Sequence, residues 1–109
     1  MADTGKILGQ SAPAATTETP LYTVPGATTA TISSVTVCNR GITATTFRIY
    51  CAIAGAATTN AQYVYYDEIV PANKTFTATI GATLGATDVL RCYAGNANLS
   101  FNAFGIEST

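Results

Sequence analysis

A strict alternation of side-chain character over residues 45–54 limits the possible folds more than any other feature of this sequence. One parity of that stretch is apolar, and its members are Phe47, Ile49, Cys51 and Ile53. Because successive side chains of a β-strand point to opposite faces, a period of two predicts a strand with one buried face. No long segment of the chain has the 3.6-residue apolar period of an amphipathic helix. The sequence therefore predicts an all-β fold.

Further segments with the same period follow one another, and residues that form turns separate them. Pro25-Gly26 is typical of a type II turn, and Pro71-Ala72-Asn73-Lys74 of a hairpin. Over residues 28–39 the apolar parity changes at Ser33-Ser34, where a β-bulge would restore one inward face. About eight short antiparallel strands at this spacing predict a β-sandwich, and the jelly roll is one form of it.

The predicted core consists of large apolar residues on the inward parity of these strands. They are Val35, Val37, Phe47, Ile49, Ile53, Phe76, Ile80 and Phe101. Between Thr75 and Ile80 the opposite parity is entirely threonine. A threonine row is typical of a solvated outer face, or of a face that meets another subunit.

We expect residues 1–17 to form a strand and an extended N-terminal arm, and residues 18–109 to form the sandwich domain. The strand is predicted over residues 6–10, and the segment after it contains proline and is low in complexity. We expect this arm to extend onto a neighbouring molecule, with a frayed terminus as the alternative. The candidate contact residues of the arm are Ile7, Leu8, Gln10 and Pro13.

Charged residues are scarce, since they make up 10% of this chain and about 25% of an ordinary soluble domain. The net charge of −1 offers no basic face for nucleic acid and no basic helix for a membrane surface. A surface kept soluble by hydroxyls and amides would explain this composition, as would a surface covered by other subunits. We favour the covered surface. The chain also starts without the basic and apolar segments of a secretory leader, so we expect synthesis in a cytoplasm.

The residues that usually carry catalysis or bind metals are few. Histidine is absent, which removes the commonest metal ligand and the usual base of a catalytic triad. Asp67 and Glu68 are adjacent, so on a strand they would point to opposite faces and could not act as a pair. The glycines precede no predicted helix and therefore form no phosphate-binding loop. We expect no catalytic, cofactor or metal site, and no enzyme activity.

The three cysteines, Cys38, Cys51 and Cys92, are an odd number without a Cys-x-x-Cys pair. Each lies in a predicted strand, which is typical of buried free thiols in a protein made in a reducing compartment. One disulfide with one remaining thiol is the alternative.

Three tyrosines, Tyr63, Tyr65 and Tyr66, lie close together in one predicted strand and are candidate contact residues. By alternation Tyr63 and Tyr65 share one face, and Tyr66 lies on the other. Such rings can pack half-buried with their hydroxyls at the rim. They can also form the centre of a protein interface or stack on sugars, and the sequence leaves all three roles open.

Six blocks of the sequence, taken in order, resemble a family of small virion structural proteins of tailed bacteriophages, cyanophages among them. The blocks are ILGQSAPAATTETPLYTVP, VTVCN, TTFRIYCAIAG, YVYYDEIVPANKTFT, LGATDVLRCYAG and NLSFNAFGIE. Together they extend from Ile7 to Glu107. The resemblance implies a β-sandwich without catalytic residues that forms part of a virus particle.

The resemblance leaves the place in the particle open. The first expectation is capsid decoration by a cement protein, as a homotrimer, because head decoration commonly sits at three-fold positions. The partners would then be copies of this chain and the major capsid protein. The alternative is a tail, neck, baseplate or fibre component that contacts tail proteins, and a host-glycan-binding module ranks third. Each implies a location in the virion after synthesis in the host bacterial cytoplasm.

Overall fold

Eight β-strands account for most of the computed structural model, which describes residues 2–109. They are β1 (Asp3–Ser11), β2 (Thr19–Thr23), β3 (Thr29–Asn39), β4 (Thr45–Ala52), β5 (Tyr63–Val70), β6 (Thr75–Leu84), β7 (Val89–Ala94) and β8 (Leu99–Ser108). Two short 3₁₀ turns, Ile53–Gly55 and Asn60–Gln62, lie between β4 and β5. No helix within the described residues has the length and apolar character needed to cross a membrane. The predicted all-β class is confirmed.

The strands form two antiparallel sheets of four strands each. The first sheet has the order β1-β8-β3-β6, and the second has the order β2-β7-β4-β5. This order results when one long hairpin, with its tip between β4 and β5, is rolled up. The rolled hairpin pairs β4 with β5, β3 with β6, β2 with β7 and β1 with β8. Such nested pairing is the jelly-roll arrangement, so the predicted sandwich is confirmed and its strand order is now known.

The predicted bulge in β3 is present. The pairing of β3 with both of its neighbours changes register between Ile32 and Ser34. The intervening residue, Ser33, is exposed, and its hydroxyl donates to the carbonyl of Phe104 at 3.1 Å. As a result Ile32 and Val35 are both fully buried, although they have opposite parity.

The irregularity extends across the first sheet, because β1 also changes register between Ile7 and Gly9 against the same part of β8. Gly105 of β8 lies there between β1 and β3. A Cβ atom at Gly105 would lie 2.1 Å from the carbonyl oxygen of Thr31. Only glycine allows such a close approach of two backbones. Bulges commonly bend a strand and increase its twist, and here they occur at the same level of three strand pairs.

Neither predicted turn has the expected form. At Pro71–Lys74 the chain does turn, with a positive φ of 58° at Asn73, but it passes from β5 in the second sheet to β6 in the first, so the predicted hairpin is wrong. At Pro25-Gly26 the positive φ of 55° falls on Ala27, so the predicted type II geometry is wrong. This turn is centred one residue further along the chain than the proline–glycine pair indicated.

Phe47 lies at the centre of the hydrophobic core between the sheets. Its ring belongs to the second sheet, and its centroid lies 5.3 Å from that of Phe76 and 6.2 Å from that of Phe101, both on the first sheet. Tyr65 completes the cluster at 6.0 Å from Phe47. Tilted and edge-on ring pairs of this kind stabilise a core by more than the burial of their apolar area alone would. The cluster therefore joins the two sheets.

Most of the predicted core residues lie between the sheets. The fully buried ones are Val35, Val37, Phe47, Ile49 and Phe101. Phe76 and Ile80 are partly buried and pack against the same cluster. Ile53 is a correction, because 78% of its surface is exposed. Strand β4 ends at Ala52 and the chain turns at Ala54, which has a φ of 54°, so the alternation stops before Ile53.

Residues 3–11 are part of the sandwich and not of a separate arm. Strand β1 pairs with β8 over its whole length, so the predicted boundary between residues 17 and 18 does not separate two units. On this segment Leu8 packs against the core. Pro13, in the connection that follows, is buried. In this conformation Pro13 is buried and Leu8 is half-buried, so neither side chain is fully exposed to a second molecule.

Cys38, Cys51 and Cys92 are all free thiols, so the alternative of one disulfide is not realised. Cys92 lies in the core, and burial raises the pKa of its thiol to about 12, against a smaller opposing effect of a hydrogen bond with Ser11. Burial also raises the pKa of Cys51. Because the thiolate is the reactive form, burial lowers the reactivity of these two thiols.

The Phe47→Ala variant should have a free energy of unfolding about 3–5 kcal/mol lower than the original chain, because it leaves a cavity between the sheets. Thr77→Ala, on the exposed side of β6, should lower it by less than about 1 kcal/mol. Urea unfolding followed by circular dichroism measures both values. Equal losses would mean that the inner and outer faces have been assigned the wrong way round.

Candidate assembly surfaces

The charged side chains of this protein connect strands and loops and do not line a cleft. Three ion pairs join segments that are distant in sequence, and they are Lys6–Glu107, Arg48–Asp67 and Arg91–Glu18. Within the described part of the chain, no group of three Cys, Asp or Glu residues could hold a metal ion. The candidate functional sites of this protein are therefore surfaces that can bind another molecule.

Glu107 connects the two sheets at one end of the sandwich. Its carboxylate lies 2.8 Å from the Lys6 ammonium and also accepts a hydrogen bond from the hydroxyl of Tyr22. Lys6 and Glu107 belong to the first sheet, and Tyr22 belongs to the second. The bond from Lys6, followed by that from Tyr22, holds the pKa of Glu107 below its ordinary value. Burial and the contact with Glu107 raise the pKa of Tyr22.

Glu18 fixes the segment between β4 and β5 over the outer face of the second sheet. Its carboxylate accepts hydrogen bonds from Thr58 and, at 3.1 Å, from Tyr50. Arg91 lies 3.9 Å from the same carboxylate and donates to the carbonyl of Gly55 at 3.1 Å. The bond from Thr58 is the main reason that the pKa of Glu18 is lowered. Under this cover Tyr50 is buried, although it lies on the outer parity of β4.

The open part of the same face carries an aromatic patch, defined as Arg48, Tyr63, Tyr66 and Tyr93. The Arg48 guanidinium carbon lies 4.2 Å from the ring centroid of Tyr66 and 4.4 Å from that of Tyr93. Asp67 accepts a hydrogen bond from Nε of Arg48 at 2.7 Å, and this bond raises the pKa of Arg48. A third ring, that of Tyr63, lies 6.0 Å from the guanidinium carbon, so three cation–π contacts and one ion pair restrain the Arg48 side chain.

The irregular pairing of β5 brings two of these tyrosines together. Strand β5 changes register against β4 on both sides of Ile49, and Asp67 has a positive φ of 51°. Tyr63 and Tyr66 consequently share the outer face, with ring centroids 4.8 Å apart, while Tyr65 points into the core. The prediction that Tyr63 and Tyr65 share one face was wrong.

Arg48 and Tyr93 were not assigned to a surface site from the sequence. Arg48 lies on the outer parity of β4, which the alternation identifies correctly. Its contact with Tyr93 depends on the antiparallel pairing of β4 with β7, which places these two residues opposite each other. Strand order is not encoded in a local pattern. The sequence offered one indication of this surface site, which is a single arginine on the outer parity of a strand.

The seven predicted contact residues lie in three different places. Two are exposed on the outer side of the first sheet, and they are Ile7 and Gln10. Two belong to the aromatic patch, and they are Tyr63 and Tyr66. Of the others, Leu8 and Tyr65 pack against the core of their own subunit, and Pro13 is buried. The structure thus leaves four of the seven side chains accessible to another molecule.

The outer side of the first sheet forms a second surface, the threonine face, defined as Thr31, Thr36, Thr75, Thr77, Thr79 and Thr83. Strand pairing places Thr36 opposite Thr77, and the hydroxyls of Thr31 and Thr83 lie 3.1 Å apart. Exposed Ile7 and Ile106 lie on the same sheet, on β1 and β8. Removing neutral groups of this kind from water costs less free energy than removing charged groups does.

Two hollows adjoin the second sheet. One of about 390 Å³ is lined by Asn60, Tyr63 and Tyr66 and borders the aromatic patch. The other, of about 310 Å³, lies beside the segment between β4 and β5. Gln62 is one of its lining residues, and the side-chain oxygen of Gln62 is buried without a hydrogen-bond partner within residues 2–109. Both hollows could receive a protruding side chain, and neither contains an acid–base pair.

No family model matches this chain, and no curated protein sequence matches it. Among solved structures, the chain is similar to a chain of the acidic stable capsid structure of Helicobacter pylori bacteriophage KHP30, with a TM-score of 0.53 and 14% identity. The alignment covers 97% of this chain and 90% of that chain. The likeness is one of fold, and it extends over both sheets.

The Glu107→Gln variant should be less stable than the original chain at neutral pH, because it loses the ion pair with Lys6. The pKa of Glu107 is lowered in the folded state, so its contribution is complete above the ordinary value of 4.5 and disappears as the pH falls through the lowered value. The difference in free energy of unfolding should therefore shrink in acid. Urea unfolding at a series of pH values measures this difference.

Glu68→Gln, which removes an exposed carboxylate on β5, serves as the control. It should differ little from the original chain at any of these pH values. A loss for Glu107→Gln that stays constant between neutral and acidic pH would contradict the assigned ion pair.

Proposed function

We propose that this chain is a non-enzymatic structural protein of a bacteriophage particle, and that it decorates the capsid as a homotrimeric cement protein. The observation that carries the proposal is the fold likeness to a chain of a phage capsid structure, which covers nearly all of both chains. The matched chain is thus of similar size to this one. A small jelly roll without a cleft of acids and bases suits a protein whose work is adhesion.

We assign contact with the shell to the aromatic patch. Tyrosine and arginine are the residue types most often found at the energetic centre of protein interfaces. Asp67 and three tyrosine rings already restrain the Arg48 side chain, so little conformational entropy is lost when it binds. Tyr66 is 58% exposed, which makes it the most exposed tyrosine of the patch.

The cement role follows from mass action. A protein that binds the closed shell and not its separated subunits stabilises the closed form, and the effect grows with concentration and affinity. Few charged groups are available for the contact, because the chain has only 11 charged residues and several of them pair internally. Screening by salt should therefore weaken the attachment only slightly.

Binding of a host glycan is a second candidate, and one observation favours it. The hollow of about 390 Å³ has two tyrosine rings and one amide, which are groups that bind sugars. The rings of Tyr63 and Tyr66 are nearly perpendicular, at 82°, and so do not form a flat platform for a sugar ring. We therefore rank this function below capsid decoration, together with a tail, neck, baseplate or fibre role.

Cryo-electron microscopy of the phage that encodes this chain should locate it on the outer surface of the head at three-fold positions. Density for the sandwich on the tail or neck, with none on the head, would exclude capsid decoration in favour of a tail component. Light scattering on the purified protein at low concentration should give three times the chain mass, and a monomer at every concentration would exclude the trimer.

Tyr66→Ala should weaken binding of the purified protein to particles that lack it by about tenfold or more, because an interface tyrosine is lost. Its free energy of unfolding should change by about 1 kcal/mol or less, since the ring is more than half exposed. Co-sedimentation with the particles measures the binding. Ile42→Ala, which removes an apolar side chain that is 88% exposed and lies outside both sheets, should bind normally. Equal binding by both variants would remove the aromatic patch from the contact.

A further inference from the structure

The two sheets have four edge strands, β1, β6, β2 and β5. Each edge presents backbone N–H and C=O groups that are not paired within the sheet, and such a row can pair with a strand of another molecule. Natural proteins prevent unwanted pairing by making edge strands short, irregular or charged, or by placing proline in them. The four edges differ in whether they have this protection.

Three edges are protected. Strand β2 has only five residues and contains Pro20. Strand β5 carries Asp67 and Glu68 and changes register twice against β4. Strand β1 carries Asp3 and Lys6 and changes register between Ile7 and Gly9. Each of these features hinders the addition of a further strand.

Strand β6 lacks such protection. It has ten residues, TFTATIGATL, without a charge or a proline. Within residues 2–109 it pairs only with β3, and its threonine row at Thr75, Thr77 and Thr79 is exposed. The single irregularity lies late in the strand, where Gly81 has a positive φ of 67°. The segment from Thr75 to Ile80 is therefore a regular, neutral and open edge.

We propose that β6 pairs with β6 of a second copy of this chain, antiparallel and around a two-fold axis, so that two first sheets join into one of eight strands. Antiparallel pairing over Thr75–Ile80 would form about six backbone hydrogen bonds. A two-fold contact brings the same surface of both copies together, so any charge in that surface would meet a like charge. Strand β6 has no charged residue, and this repulsion does not arise.

The chemistry of β6 favours a second copy over another occupant. The other three edges of this chain would bring proline, acidic residues or bulges to the contact, so β6 is its own best partner. Within one subunit, threonine rows on β3 and β6 already face each other, as in the contact between Thr31 and Thr83. The same pairs would continue across the two-fold axis.

The one charge beside the strand does not oppose this pairing. Lys74 directly precedes β6 and is exposed. In an antiparallel pair the two copies of Lys74 lie at opposite ends of the contact, and so they do not face each other. The contact is also independent of the proposed trimer, because it relates two copies by a two-fold axis. It could join two free chains or two trimers.

Hydrogen exchange of the purified full chain at low and high concentration tests the pairing. Amides of Thr75–Ile80 that point away from β3 should exchange at least about tenfold more slowly at high concentration, because pairing protects them. Amides of the edge strands β1, β2 and β5 should not respond to concentration. Light scattering on the same samples should show even multiples of the chain mass at high concentration.

Two lysine variants separate the edge from the face on which it lies. Thr77→Lys places a charge on β6 and should abolish both the protection and the even-numbered species. Thr36→Lys places the same charge directly opposite, on the interior strand β3, and should leave both unchanged. Circular dichroism verifies that both variants are folded.

Three outcomes would overturn the proposal. One is exchange in β6 that does not depend on concentration. Another is protection that persists in folded Thr77→Lys. The third is protection that arises only when phage particles are added, which would identify a strand of a partner protein as the occupant. The first two results do not depend on whether the chain decorates a capsid, since they use the purified protein alone.

Discussion

The contact of Phe47 with Phe76 and Phe101 determines the arrangement of the rest of the molecule, because it joins the two sheets through one cluster of rings. Once these rings lie between the sheets, the parity of each neighbouring strand is fixed by its pairing. The threonine row of β6 must then face outward, as must Arg48 of β4. The outward orientation of both candidate surfaces is therefore a consequence of where the core lies, and not of contacts within the surfaces themselves.

Much of the fold could be predicted from the sequence because the strands alternate clearly. Strand β4 is the best example, since one parity carries large apolar residues and the other carries an arginine. The bulge at Ser33-Ser34 could be predicted for a related reason. The apolar set itself changes parity there, and a sandwich core cannot accept such a change without an extra residue.

Where the residues of both parities are alike, the pattern does not indicate which face of the strand is buried. In β5 the sequence Tyr-Val-Tyr-Tyr gives no contrast between inside and outside, so its two register shifts could not be seen. Tyr63 and Tyr65 were therefore predicted to share one face, which they do not. The prediction that Ile53 is buried was wrong for a different reason, because this apolar residue continues the alternation after the strand has ended. The aromatic patch needed strand order as well, since Arg48 meets Tyr93 only through the pairing of β4 with β7.

Strand β1 is held in the first sheet by β8 alone, and residues 99–108 are made long after residues 3–11. On the ribosome, the first strand consequently has no partner until almost all of the sandwich has been synthesised. Non-local pairing of this kind also slows folding. The first sheet therefore has all four of its strands only after β8 has been synthesised, although β3 and β6, which carry the threonine face, are both complete by residue 84.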